Sequence, residues 1–360
     1  LYHLLYHLLY HLLRHLLRHL PTNQLTPPGA SGFIATHILD VLLSRGHSVR
    51  LTVRFADKAE KLISAHPEHA HLIDYTIVPD IAAPGAFDEA VKSSPPFEAV
   101  LHTASPFHFN VKDTKKDLLD PAIQGTVGIL QAIKKYAPEV KRVVITSSFA
   151  AIVDSAKGIA TGHCYTEKDW NPVTEEQAYN DAGTGYRASK TLAEKAAWKF
   201  VEDEKPNFSI AAINPPLVFG PVKKYMADLD KINTSNEKFR NMLRGEMKEK
   251  LAPSGGYVWV DVRDVALAHV EAMEREEAGG KRFFLVEGSY FSNQQIADII
   301  VKNFPEYKNL FPEQKEPNGG FTEGVYTVDN TVSREVLGIK YHDFETCVVD
   351  IVKSLKEMGM

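Results

Sequence analysis

Tyr186 and Lys190 stand four residues apart in the run Tyr186-Arg187-Ala188-Ser189-Lys190. On a helix that spacing puts both side chains on one face. A free phenol titrates near ~10, too high for efficient proton transfer at neutral pH. An ammonium beside it stabilises the phenolate, and lowering the phenol by roughly two units takes about 3 kcal/mol of differential interaction. The pair therefore suits acid–base chemistry at an oxygen, and the lysine can also donate to ribose hydroxyls. A carbonyl oxygen awaiting hydride needs a further donor to hold it. The strand-like run Arg142–Thr146 leads into Ser147-Ser148-Phe149, which places Ser148 at a carboxyl strand edge. YxxxK alone is common on solvent-facing helices, so these three residues carry weight only with the elements around them.

The first of those elements is Gly29-Ala30-Ser31-Gly32-Phe33-Ile34-Ala35, a GxxGxxA loop opening a helix. Gly29 permits a tight turn, Gly32 lets backbone N–H groups approach a pyrophosphate, and the helix N-terminus favours negative charge. Ser31, Phe33 and Ile34 join them as candidate cofactor contacts. A plain helix-starting turn reads the same way until other features agree. They do: the second strand ends in Thr52-Val53-Arg54, with Asp57 and Lys58 following. An NAD enzyme usually places a carboxylate there for the ribose hydroxyls, whereas the cations Arg54 and Lys58 suit a 2′-phosphate and so NADPH. A solvated charge pair is the competing reading, and Asp57 speaks for it. Asp80-Ile81 follows the third strand, where an adenine edge could meet a carboxylate and backbone. Thr103-Ala104-Ser105-Pro106 follows the fourth, where small residues let a cofactor pass; ordinary loop chemistry explains either run equally well.

These residues need a parallel sheet behind them. Apolar runs at Val49–Arg54, Tyr75–Val78, Ala99–Thr103, Arg142–Thr146, Ser209–Asn214 and Arg282–Val286 are the candidate strands. Helical patterns at Phe33–Arg45, Phe87–Lys92, Lys116–Tyr136, Tyr186–Glu204, Val262–Glu274 and Asn293–Asn303 alternate with them. The alternation predicts an α/β fold, a Rossmann-type doubly wound parallel sheet. After Pro221 the pattern loosens and charge rises, which predicts a smaller C-terminal substrate lobe over the sheet's carboxyl edge. The expected organisation is an atypical extension over 1–28, a dinucleotide-binding domain over 29–220 to which strand 282–286 returns, and a substrate lobe over 221–360.

The first strand is doubtful. Pro21-Thr22-Asn23-Gln24-Leu25-Thr26-Pro27-Pro28 precedes the glycine loop. Two prolines just before the loop and several polar residues make a poor central strand, so that strand is expected to be missing or replaced, at a loss of stability. Upstream, residues 1–20 are LYHL three times and LRHL twice, with no acidic residue. A drifting leucine stripe, a targeting peptide, and an i,i+4 metal site from His3, His7, His11, His15 and His19 are possible readings. Perfect tetrad repetition in one place favours translated repetitive DNA or a misassigned first exon, with metal binding last.

Composition bounds the rest. The 360 residues are 44% hydrophobic and 24% charged, ordinary for a globular chain. A net charge of −5 offers no basic field for nucleic acid. The two cysteines, Cys164 and Cys347, fit neither a disulfide framework nor a metal pair and suit a reducing compartment. No apolar run is long and charge-free enough to span a bilayer, and cytoplasmic placement is expected.

From Gly29 onward the chain resembles the extended short-chain dehydrogenases, in the segments GASGFIATHILDVLL, LHTASPFHF, RVVITSSFAAI, YRASKTLAEKAAW, NPPLVFGP and YVWVDVRDVALAH. More narrowly it is similar to the fungal NADPH-dependent methylglyoxal and aldehyde reductases, relatives of the plant dihydroflavonol reductases. The resemblance implies Ser148, Tyr186 and Lys190 as a catalytic triad, Arg54 and Lys58 at the 2′-phosphate, and Pro215 to Val218 along the nicotinamide. It also implies a structural role for Val260-Asp261-Val262-Arg263-Asp264-Val265 in tying the lobes together. Gln124 stands where relatives usually carry Asn, and Leu217 where some carry an aromatic residue. The expected activity is NADPH-dependent reduction of an aldehyde or ketone, by a monomer or homodimer, with Phe107, Phe149 and Leu217 forming an apolar substrate pocket or, equally, core. A nucleotide-sugar epimerase or dehydratase shares the triad, but the second lobe shows no clear basic cluster for such a substrate. A non-catalytic NADP-binding sensor would typically lack the Tyr–Lys pair.

Overall fold

The computed structural model describes residues 31–103, 113–159, 162–225 and 228–360, together with the backbone of 23–26. The tetrad repeat, Gly29, Ala104, Ser105 and Phe107 lie outside the described residues. Along the chain run β1 (Asn23–Thr26), α1 (Phe33–Ser44), β2 (Ser48–Val53), α2 (Ala56–Ala65), β3 (Ile73–Ile77), β4 (Ala99–His102) and α3 (Asp120–Tyr136). Then come β5 (Arg142–Thr146), β6 (Cys164–Tyr165), α4 (Ala182–Glu204), β7 (Ser209–Asn214), β8 (Leu217–Phe219), α5 (Thr234–Leu243), β9 (Trp259–Asp261) and α6 (Val262–Glu274). The chain closes with β10 (Lys281–Phe284), α7 (Asn293–Asn303), β11 (Thr327–Val328), α8 (Thr331–Leu337) and α9 (Phe344–Glu357).

Seven strands form one sheet in the order β10-β7-β5-β4-β1-β2-β3, and all neighbours are parallel. The order reverses between β1 and β4, and a crevice opens outside the carboxyl ends at such a point. Side chains alternate between two covered faces. Val143 and Ile145 of β5 pack with α3 and α4, while Val144 packs with α1 and α6. Both faces bury apolar residues, so these strands read as nearly continuous apolar runs rather than an alternating pattern.

The doubtful first strand is present. Asn23–Thr26 lies in the middle of the sheet, pairing in register with Ser48–Leu51 on one side and Ala99–Val100 on the other. Its backbone groups find partners on both edges, which the polar sequence could not announce. The expected helix Phe87–Lys92 is instead a series of turns between Pro84-Gly85 and Pro95-Pro96, with Phe87, Ala90 and Val91 still buried. Helices α2, α5, α8 and α9 were not anticipated. In α2, only Ala59 and Leu62 are buried, so its charged face hides the period.

The second lobe has its own core, in which Phe239, Met242, Ile296, Ile300, Val348 and Ile351 surround Phe219 and Trp259. The break at 221 is not clean: α6 covers a face of the main sheet and β10 joins its edge. Asp261, wholly buried, caps α6 and binds Arg263, which reaches Asp350 on α9 at 2.7 Å. The segment thus ties the two cores together.

Candidate active site

Ser148 sits just past the end of β5. Its carbonyl accepts from Asn214 Nδ2 at 3.2 Å, and its Oγ accepts from the Ala150 N–H at 3.1 Å. The flanking backbone is pinned to β7, with Ser147 N–H donating to Ile213 and Phe149 N–H to Pro215, both at 2.8 Å. Tyr186 and Lys190 come from the first turns of α4, whose start is fixed by Asp181 accepting from the Thr184 N–H at 2.9 Å. Gly185 is required beside them, because a Cβ there would lie 2.9 Å from Thr114 and 3.0 Å from the Ala178 carbonyl. The Lys190 ammonium stands 6.0 Å from the Tyr186 ring centre, and the Tyr186 phenol hydrogen-bonds with Ser148.

These side chains line a cavity of about 280 Å³ with Gly32, Phe33, Ile34, Thr103, Pro215 and Val218. Sequence reasoning did not single out Thr146 and Ser147, which line it from the end of β5, or Asn233, Thr234 and Ser235 at the start of α5. The latter have no local signature, since only the lobe's return over the sheet edge brings them in.

Burial governs the electrostatics. It pushes the Tyr186 phenol above its ordinary value, and the Ser148 hydrogen bond opposes that. The expected lowering of this phenol is thus reversed in direction, with desolvation on burial the larger influence. Burial also pushes Lys190 down to about 8, with Glu194 pulling it up. His102, at the end of β4, is driven to about 3 by burial and by Lys190 and stays neutral. Behind the cavity, Thr146 Oγ1 meets His269 Nε2 at 2.7 Å.

The cavity offers unmet polar groups of the kind a dinucleotide uses. Thr103 Oγ1 is buried without a partner among the described residues. The N-terminus of α1 has Gly32 at its cap, no capping side chain and no acidic residue in its first turn, leaving its N–H groups to an anion. Ser31 lines an adjoining cleft of about 180 Å³ with Lys223 and Lys231. Arg54 is exposed past the end of β2, and Lys58, partly exposed, follows one turn into α2; neither forms an ion pair among the described residues. Asp80 Oδ1 accepts from the Ala82 N–H at 2.9 Å, and the Ile81 side chain packs against Gly125 of α3.

Two anticipated pocket residues point elsewhere. Phe149 stacks on Phe284 at 4.7 Å, within a cluster holding Tyr165 and Tyr326. Leu217 faces Gly256, where a Cβ would lie 2.8 Å from its Cδ1, and packs with the second core. Pro216, just before β8, and Val218 within it take the cavity side, so Leu217 between them takes the other.

The sheet, its crevice and this constellation define a dinucleotide-binding α/β protein, and the chain belongs to the NAD dependent epimerase/dehydratase family, whose model matches residues 28–286. The ketoreductase azaE of Aspergillus niger is 47% identical over 333 residues, spanning 92% of this chain and 97% of that protein. The NADPH-dependent methylglyoxal reductase GRE2 of Saccharomyces cerevisiae is 39% identical over 335 residues, spanning 91% and 96%. Among solved structures, the yeast methylglyoxal/isovaleraldehyde reductase Gre2 complexed with NADPH superposes with a TM-score of 0.87 at 36% identity, covering 93% of this chain and 99% of that one.

Proposed function

We propose that this protein is an NADPH-dependent carbonyl reductase that converts an aldehyde or ketone to the alcohol, with Ser148, Tyr186 and Lys190 at its centre. The observation that carries the reading is the Ser148–Tyr186 hydrogen bond beside Lys190, in a cavity floored by the N-terminus of α1. The reductases among its relatives support it.

Gly29, Ser31, Gly32, Phe33 and Ile34 would hold the pyrophosphate end, Arg54 and Lys58 the 2′-phosphate, and Asp80 and Ile81 the adenine edge. Thr103, Ala104, Ser105, Pro215 and Val218 would border the nicotinamide. NADPH bound there supplies a hydride to the carbonyl carbon. The Ser148 and Tyr186 hydroxyls hold the carbonyl oxygen, and Tyr186 gives that oxygen its proton. Lys190 stabilises the phenolate left behind and donates to the ribose, after which Tyr186 recovers a proton from solvent. Phe107 is the remaining candidate for an aromatic wall, and Phe149 and Leu217 support the pocket from behind. Residues 29–220 with β10 form the cofactor unit and much of 221–360 the substrate lobe. Among the described residues no helix is long and apolar enough to cross a membrane; the protein acts in the cytoplasm as a monomer or homodimer.

The test follows NADPH oxidation against short aldehydes, diketones and aryl ketones, with NADH in parallel. Turnover preferring NADPH is expected. Cofactor binding without turnover of any carbonyl would leave the sensor reading instead.

A further inference from the structure

Glu194 lies four residues beyond Lys190 and eight beyond Tyr186, on the same face of α4. Its side chain is 1% exposed. Buried carboxylates are uncommon unless every lone pair is used, and this one is well supplied. Oε1 accepts from Arg282 Nε of β10 at 2.6 Å and from Trp198 Nε1 at 3.2 Å. Oε2 accepts from Ser147 Oγ at 2.5 Å and from Asn214 Nδ2 at 2.7 Å. Arg282 is held in turn by the Glu167 and Asp169 carbonyls, each at 2.6 Å, with Trp170 stacked 3.7 Å from its guanidinium.

A buried ion pair is weak evidence for stability, since apolar residues of like volume often serve as well. The placement of this one is more informative. Ser147 immediately precedes Ser148, and Asn214 spends the same Nδ2 group on the Ser148 carbonyl. Two of the carboxylate's partners therefore grip the short segment that aims the Ser148 hydroxyl. The helix bearing the carboxylate is the one that bears Tyr186 and Lys190.

We infer that Glu194 is a positioning residue, its carboxylate fixing the strand end that carries Ser148 against the helix that carries Tyr186 and Lys190; the inference rests on the reductase reading for its kinetic consequence. A displacement of about 1 Å in such a site is worth on the order of a hundredfold in rate. The same carboxylate supports the charge on Lys190, opposing the burial that depresses it. Among the described residues, Tyr186 on its own helix and His102 from β4, which stays neutral, also face Lys190.

The test uses the full-length protein. Glu194→Gln alone strands the buried Arg282 charge and endangers folding, so it is paired with Arg282→Met, which removes that charge. Ser147→Ala cuts one hydrogen bond and leaves the ion pair whole. Thermal melts and fluorescence titration with NADPH establish folding and binding. NMR of isotopically labelled lysine, without cofactor or substrate, then follows the Lys190 titration. In the double variant kcat is expected to fall by about thirtyfold or more with KM within about threefold, and Lys190 to titrate lower than in the wild type. Ser147→Ala should lose about fivefold in kcat with KM and the Lys190 titration unchanged. A folded double variant with wild-type kcat, or one whose Lys190 titration is unmoved, overturns the inference. If the double variant does not fold, wild-type kcat in Ser147→Ala overturns it. A wild-type protein that turns over no carbonyl sinks the reductase reading instead, and the Lys190 titration still decides whether the carboxylate acts on the site.

Discussion

The Lys190 ammonium stands 6.0 Å from the centre of the Tyr186 ring, one helical turn further along α4. Burial raises the phenol above its ordinary value, and the Ser148 hydrogen bond only partly offsets that.

Removing the proposed proton donor, Tyr186, while keeping the ring is the most direct check on the chemistry. Tyr186→Phe keeps the shape of the cavity wall and deletes the hydroxyl. Loss of a positioned acid–base group is worth about 10²–10⁴ in rate. Turnover is expected to fall by that factor while NADPH affinity, read by fluorescence titration, stays close to wild type. Undiminished turnover would refute the assigned role.

Much of this site was legible because spacing on one helix is local information. Tyr186 and Lys190 meet wherever the helix forms, and β5 delivers Ser148 because the apolar run Arg142–Thr146 ends there. Glu194 carried a signal too, at the next step of four beyond Lys190, but an acidic residue on a helix ordinarily reads as surface. Only the buried Arg282, 88 positions further along, reveals otherwise. Asn233 to Ser235 and the orientation of Leu217 were not legible, since both depend on how the second core seats β8 and α5. The first strand was misjudged for a related reason: its place is set by backbone pairing to β2 and β4 rather than by its own residue types.

On the proposed reading, the exposed Arg54 at the end of β2 selects the cofactor. Arg54 has no acidic partner among the described residues, so removing it disturbs little of the fold. A hydrogen bond from a charged donor contributes about 1.5–3 kcal/mol. Arg54→Ala should therefore reduce the NADPH-over-NADH ratio of kcat/KM by roughly ten- to a hundredfold, with the NADH value nearly unchanged. Equal losses with both cofactors would mean that Arg54 does not read the 2′-phosphate.

The seam between the lobes should respond to pH. His66 Nε2 lies 2.9 Å from Asp40 Oδ1, and Lys223, just past β8, binds the other oxygen of the same carboxylate at 2.5 Å. The hydrogen bond to Asp40 raises His66 above its ordinary 6.5. Its contribution to stability is therefore fully present below that value and is lost as pH rises through the higher folded one. Asp40 is held below its ordinary 3.8, so its contribution is present above 3.8 and lost as pH falls through the lower folded value. Between these limits both groups are charged. His66→Gln should lower Tm most at about pH 5.5 and least at about pH 8.5. A difference in Tm that does not change across that range would show that the pair contributes no charge-dependent stability.

The last prediction concerns β1, which occupies the middle of a sheet covered on both faces. Its neighbours in register include Val49, Leu51 and Val100, all essentially inaccessible to solvent. Central parallel strands are ordinarily apolar and β-branched, and Asn and Gln rank low for such positions, on a scale spanning about 1 kcal/mol. Asn23 and Gln24 are thus the two residues whose replacement should help the fold. The pair Asn23→Val and Gln24→Ile is expected to add about 1–2 kcal/mol and to raise Tm by several degrees. Binding should follow, because β1 leads directly into the glycine loop and a firmer strand steadies the N-terminus of α1. An unchanged or lower Tm would mean that the polar residues already suit their place, and that the sheet owes its stability to the six strands around them.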